Sequence, residues 1–127
     1  MNAKQEGKVS QNTTHGHCHC GAAHWTFHGE IPDATICNCT ACRRYGALWA
    51  YFKAKSVGIE SPRGGLARYS WRGKVRSFFR CKRCGCVTHY KYRKRSPSYP
   101  IAVNAANFEP AVLKGARIRN LDGAATW

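Results

Sequence analysis

Apolar positions along this chain recur at short range, and no stretch repeats them every 3.6 residues over three or more turns. Long helices are therefore not expected. Short runs rich in β-branched and aromatic residues alternate with Gly and Pro instead, which is the pattern of strands and turns. Strands are expected over 22–27, 34–37, 47–53 (Ala-Leu-Trp-Ala-Tyr-Phe-Lys) and 57–60. Further strands are expected over 67–71, 75–80, 87–92 and 101–103. Ser61-Pro62-Arg63-Gly64-Gly65 reads as a turn. Thr40 to Tyr45 predicts a single helical turn, with Thr40 as N-cap and Gly46 as C-cap. The pattern describes one mainly β domain, consistent with a length of 127 residues.

The first fourteen residues break the pattern. They hold one Val and no aromatic residue, too little apolar surface to offset the entropy of ordering, so residues 1–14 are read as a tail and 15–127 as the domain. The chain has no apolar run long enough to span a membrane, and its N-terminus lacks the apolar segment of a signal peptide. A cytosolic setting is expected, in which thiols stay reduced.

Under those conditions the eight cysteines call for a reason other than disulfides. Seven form three clusters: Cys18-His19-Cys20-Gly21, Cys37-Asn38-Cys39-Thr40-Ala41-Cys42 and Cys81-Lys82-Arg83-Cys84-Gly85. The last is a knuckle in which backbone N–H groups face a thiolate and Gly closes the turn. It is half of a tetrahedral zinc site, and Cys18 with Cys20 is the natural second half. Such a site would clip the N-terminal strand to a later hairpin and stabilise the fold directly. Cys37, Cys39 and Cys42 make an incomplete tetrahedron, as in a catalytic zinc site with an open place for water, a substrate thiol or Cys86. Disulfides, an iron–sulfur arrangement, and a second structural site closed by a fourth protein ligand are the competing readings. Cys86 reads as a small buried side chain or a spare ligand. Of six histidines, His15, His17, His19 and His24 crowd the first cluster, but thiolates are abundant enough to serve without them.

Charge then narrows the partners. Lys and Arg number 21 against 6 Asp and Glu, a net of +15. Two filled zinc sites would leave it near about +12, still favouring anionic partners. Arg43 and Arg44, next to Cys42, are candidates to hold a small anionic substrate. Trp49, Tyr51 and Phe52 are candidate walls of its pocket. Lys91-Tyr92-Arg93-Lys94-Arg95, with Lys82, Arg83, His89 and Tyr90 ahead of it and Lys74, Arg76 and Arg80 nearby, interleaves cations with aromatics. That composition suits phosphate contact and base stacking.

The order C-x-C-G, C-x-C-x-x-C-R, C-x-x-C-G, then Ala102-Val103-Asn104 and the closing Leu121-Asp122-Gly123-Ala124-Ala125-Thr126-Trp127, resembles the glutathione-dependent formaldehyde-activating enzyme family. The centromere protein V group shares that domain. The resemblance covers about residues 15 to 127. It implies a β-tent of stacked antiparallel sheets stapled by zinc, with two Zn²⁺ per chain. One would be structural, on Cys18, Cys20, Cys81 and Cys84. The other would be near the substrate, on Cys37, Cys39 and Cys42, which then carry the catalytic role. Arg43, Arg44, Trp49 and Asn104 become the candidate substrate contacts. The implied activity is that of a carbon–sulfur lyase acting on a glutathione adduct of formaldehyde, or on another thiol and aldehyde. One departure is local: Ala105-Ala106-Asn107-Phe108 follows Asn104 where many relatives carry an Arg. The alternative is a zinc-stapled basic module that binds nucleic acid or protein without catalysis.

Overall fold

The computed structural model describes residues 13–71, 76–92 and 100–126. Ten strands form two sheets. A three-stranded antiparallel sheet runs β1 (Thr13–His17), β2 (His24–His28), β5 (Val57–Glu60). A seven-stranded sheet has the order β10 (Arg117–Leu121), β3 (Asp33–Cys37), β4 (Trp49–Lys53), β9 (Pro100–Asn104), β8 (Val87–Tyr92), β7 (Arg76–Cys81), β6 (Leu66–Trp71). All its pairs are antiparallel except β10 with β3, which is parallel. The helices are short: α1 (Thr40–Tyr45) and α2 (Gly123–Thr126). None among the described residues is long and apolar enough to cross a membrane.

The expected strands appear with their ends shifted by a residue or two. Two strands go beyond them. The first, β1, starts at Thr13, inside the stretch read as tail; residues 1–12 lie outside those described. Its sequence, Thr-Thr-His-Gly-His, has no large apolar residue. It is held by full pairing with β2 and by the Thr14 hydroxyl, which donates to the Gly29 carbonyl at 2.8 Å. Gly16 is its one buried position, and a Cβ there would sit 2.7 Å from both the Phe108 ring and the Trp25 indole. The second is β10, whose residues are mostly exposed. It is fixed by register on β3, with Arg117 and Arg119 both near Asp33.

The β4 alternation sorts the interior into two cores. Ala50 and Phe52 join Trp25, Phe27, Val103 and Phe108 between the two sheets, together with Cys18 and Cys81. Trp49 and Tyr51 face the other way, into a core of Phe78, Tyr90 and Ala102 that also holds Cys37, Cys39 and Cys42. On β9, Ala102 and Val103 divide in the same manner. The two groups of cysteines thus lie on opposite faces of one sheet.

Candidate metal centres

The first centre is built from two turns of one design. In each, a glycine with positive φ (Gly21 at 82°, Gly85 at 83°) returns its N–H to the carbonyl of the leading cysteine, Cys18 or Cys81, at 3.0 and 2.8 Å. The turns meet so that the Sγ atoms of Cys18, Cys20, Cys81 and Cys84 all lie within 4.8 Å of one another. Cys20 is 3.7 Å from Cys18 and 3.6 Å from Cys81. A tetrahedron with Zn–S bonds of about 2.3 Å has sulfur–sulfur edges of about 3.8 Å. The spacing therefore fits a four-thiolate zinc site and not a disulfide, whose sulfurs lie about 2 Å apart.

Electrostatics agree with a donor set for a cation. Desolvation pushes the Cys84 thiol up. Backbone N–H groups of Cys86 and Cys20 and the thiols of Cys18 and Cys86 outweigh it and bring Cys84 down to about 5. The N–H groups of Cys84 and Arg83, opposed by desolvation, hold Cys81 low too. On Cys20 the Ala22 N–H pulls down, but burial and the thiols of Cys81, Cys18 and Cys84 raise it to about 11. Cys86 is half-buried beside Cys84, with the His19 N–H directed at it, and stands outside the group of four.

The second centre lies on the opposite face. Cys37 ends β3, Cys39 precedes α1, and Cys42 sits in its first turn. Cys39, not Thr40, is the N-cap: its Sγ accepts from the Cys42 N–H at 3.2 Å, because a thiolate can replace the usual cap oxygen. Gly46 closes the helix in the left-handed region as expected. The three Sγ atoms lie within 4.8 Å, and among the described residues no fourth Cys, His, Asp or Glu joins them. Cys86 belongs to the other face and is not a fourth ligand here. Burial raises Cys37 and Cys42, to which Cys39 adds. Cys39 is pushed up by burial but drawn lower overall by the N–H groups of Cys42 and Ala41 and by the adjoining thiols. Of the three, Cys39 is the thiol most readily deprotonated.

All three cysteines are 2% exposed or less. Part of their cover is the segment after β10. Asn38 ties it down: its N–H donates to the Leu121 carbonyl (3.2 Å), its Nδ2 to Asp122 (3.0 Å), and its Oδ1 accepts from the Ala124 N–H (2.9 Å). Gly123 packs so closely that a Cβ would overlap Cys37 Sγ.

The candidate substrate contacts divide. Arg43 and Arg44 are exposed on α1. Arg44 donates to the Thr40 carbonyl at 3.0 Å and, with Thr40, Ala41, Tyr45 and Tyr69, lines a hollow of about 360 Å³ beside the centre. Trp49 is fully buried under the cysteines rather than lining a surface pocket. Its indole N–H faces Cys42 and pulls that thiol down against burial. Asn104 is buried, and its side chain serves the fold. Oδ1 accepts from the N–H groups of Leu48 (3.1 Å) and Ala106 (3.2 Å), and Nδ2 donates to the Val87 carbonyl (2.9 Å). Phe52 packs on Phe27 in the other core, with ring centres 4.3 Å apart.

The interleaved basic stretch also divides. His89 and Tyr90 are each 1% exposed, so neither ring can stack on a base. His89 lies parallel to Phe79 at 4.6 Å, and Arg76 lies over Tyr90 and Tyr92 at 5.5 and 5.6 Å. Lys74 and residues 93–95 lie outside those described. Tyr51 is the polar residue at the second centre whose hydrogen bonding the sequence does not disclose. Its hydroxyl accepts from Tyr90 at 3.0 Å and feels the charge of the Cys37 and Cys42 thiols.

Comparison with known proteins finds a match to the family model described as glutathione-dependent formaldehyde-activating enzyme, over residues 13–117. A crystal structure of a Rhodobacter sphaeroides protein is similar, with a TM-score of 0.66 and 28% identity, covering 82% of this chain and 98% of that one. Among curated proteins nothing matches.

Proposed function

We propose, from the premise that this chain belongs to the glutathione-dependent formaldehyde-activating enzyme family, that it acts at a carbon–sulfur bond between a thiol and an aldehyde. Glutathione and formaldehyde are the pair for which the family is named. The observation that carries the reading is the group of three thiols, Cys37, Cys39 and Cys42, with no fourth protein ligand among the described residues. Zinc held there supplies a Lewis acid that lowers the pKa of an arriving thiol. The chain's own residues do the rest. Cys37, Cys39 and Cys42 would hold the ion, while Cys18, Cys20, Cys81 and Cys84 would hold a second zinc that staples the fold. Arg44, and Arg43 beside it, would pair with carboxylates of the substrate above the hollow formed with Tyr45 and Tyr69. A substrate with several carboxylates suits a chain of net charge +15.

The test is exchange NMR of the glutathione–formaldehyde adduct with zinc-loaded protein, in a cytosol-like reducing buffer. Acceleration is expected from the intact chain and its loss from Cys39→Ser, with bound zinc falling from two per chain to one. No acceleration by fully loaded protein would refute the activity. Burial of all three cysteines favours a second reading, a metal enclosed for structure alone. That reading predicts two zinc ions, no acceleration, and a second zinc that resists chelators as firmly as the first.

A further inference from the structure

We propose that the Tyr51 hydroxyl is the hydrogen-bond donor to the aldehyde oxygen at the Cys37/Cys39/Cys42 centre, with Tyr90 as the residue that positions it. The inference rests on the thiol–aldehyde reading above and identifies the group that would meet the reacting oxygen.

The argument starts from β4. Its alternation places Tyr51 two residues beyond Trp49 on the same face, over the core that holds the three cysteines. Trp49 and Tyr90 are sealed in, whereas Tyr51 is half-buried. Tyr90 donates its O–H to the Tyr51 oxygen at 3.0 Å. Tyr90 is itself fixed by an edge contact with Trp49 (4.8 Å, 78°) and by Arg76 over its ring. With its oxygen occupied as acceptor, Tyr51 directs its own O–H away from Tyr90. One oriented donor beside three thiols is suited to an anionic or developing negative atom.

The step balances without an oxidant or reductant. The thiol sulfur gives its electron pair to the aldehyde carbon, forming C–S. The C=O π pair moves to oxygen, and the proton lost by the thiol reaches that oxygen through water. Tyr51 keeps its proton throughout and strengthens its hydrogen bond as the oxygen gains charge. The reverse reaction uses the same contact.

The experiment compares two stable ligands by calorimetry with the zinc-loaded full chain. S-acetylglutathione carries an oxygen on the carbon attached to sulfur, and S-isopropylglutathione carries a methyl group there. The intact protein should prefer the acetyl ligand by about three- to tenfold. Tyr51→Phe should abolish that preference while keeping two zinc ions per chain and the native near-UV spectrum. Tyr90→Phe should reduce it part-way. In turnover, Tyr51→Phe should lower kcat by about tenfold or more with KM changed by less than about twofold. Equal binding of the two ligands by the intact protein would overturn the inference and leave the glutathione reading standing. So would a preference undiminished in Tyr51→Phe. If neither ligand binds, the glutathione reading fails and the Tyr51 inference fails with it.

Discussion

Single side chains in this protein do work that their type does not announce. Asn104 joins three backbone segments through its amide. Asn104→Ala would leave buried backbone groups without partners, at a cost of about 2–3 kcal/mol. The urea midpoint should fall accordingly, while turnover per zinc-loaded chain should stay within about twofold of the intact protein, because the amide oxygen and nitrogen are both engaged by backbone groups. His89 is held neutral by burial, with Lys91 adding, and its pKa falls to about 3. An unfolded chain takes up that proton near about pH 6.5. The contribution to stability is therefore full above pH 6.5 and declines as the pH drops toward 3. Between pH 7 and 5 the loss should be about 2 kcal/mol. His89→Phe, which preserves the contact with Phe79, should show a correspondingly shallower fall in urea midpoint over that interval; identical slopes would remove His89 as the cause.

At the level of elements, legibility follows how each strand is held. Strands β2, β4 and β8 bury large side chains against a core, so their composition marks them. The strands β1 and β10 were not legible, since one is secured by backbone pairing and a glycine contact and the other by register on β3. Neither leaves a hydrophobic period in the sequence. The gathering of seven cysteines into a group of four and a group of three was legible because ligand spacing is a local property that turns preserve. The burial of Trp49 and Asn104, read as candidate substrate contacts, was not legible, because the sequence does not say which face of a strand meets solvent when both faces are covered. The β4 strand is such a case, with one side in each core. Tyr51 and Tyr90 came together through pairings across β4, β9 and β8, a contact between residues 39 positions apart that no local pattern records.

For the molecule as a whole, the two centres differ in what depends on them. The first joins β1–β2 to the β7–β8 hairpin across the chain, and the second joins neighbours between β3 and α1. Closing the longer loop contributes more to stability. Cys84→Ser should therefore lower the melting temperature of the zinc-loaded protein sharply or prevent folding, whereas Cys39→Ser should lower it by only a few degrees and still bind one zinc ion. Equal losses in the two variants would contradict this division. The sheet between the centres has a consequence for descent. Substitutions around Cys37, Cys39 and Cys42 can accumulate in a lineage without undoing the staple on the other side. The chemistry can then be lost or redirected while the architecture is inherited intact. Relatives that keep only the Cys18/Cys20/Cys81/Cys84 set would share this protein's shape without sharing the reaction proposed for it.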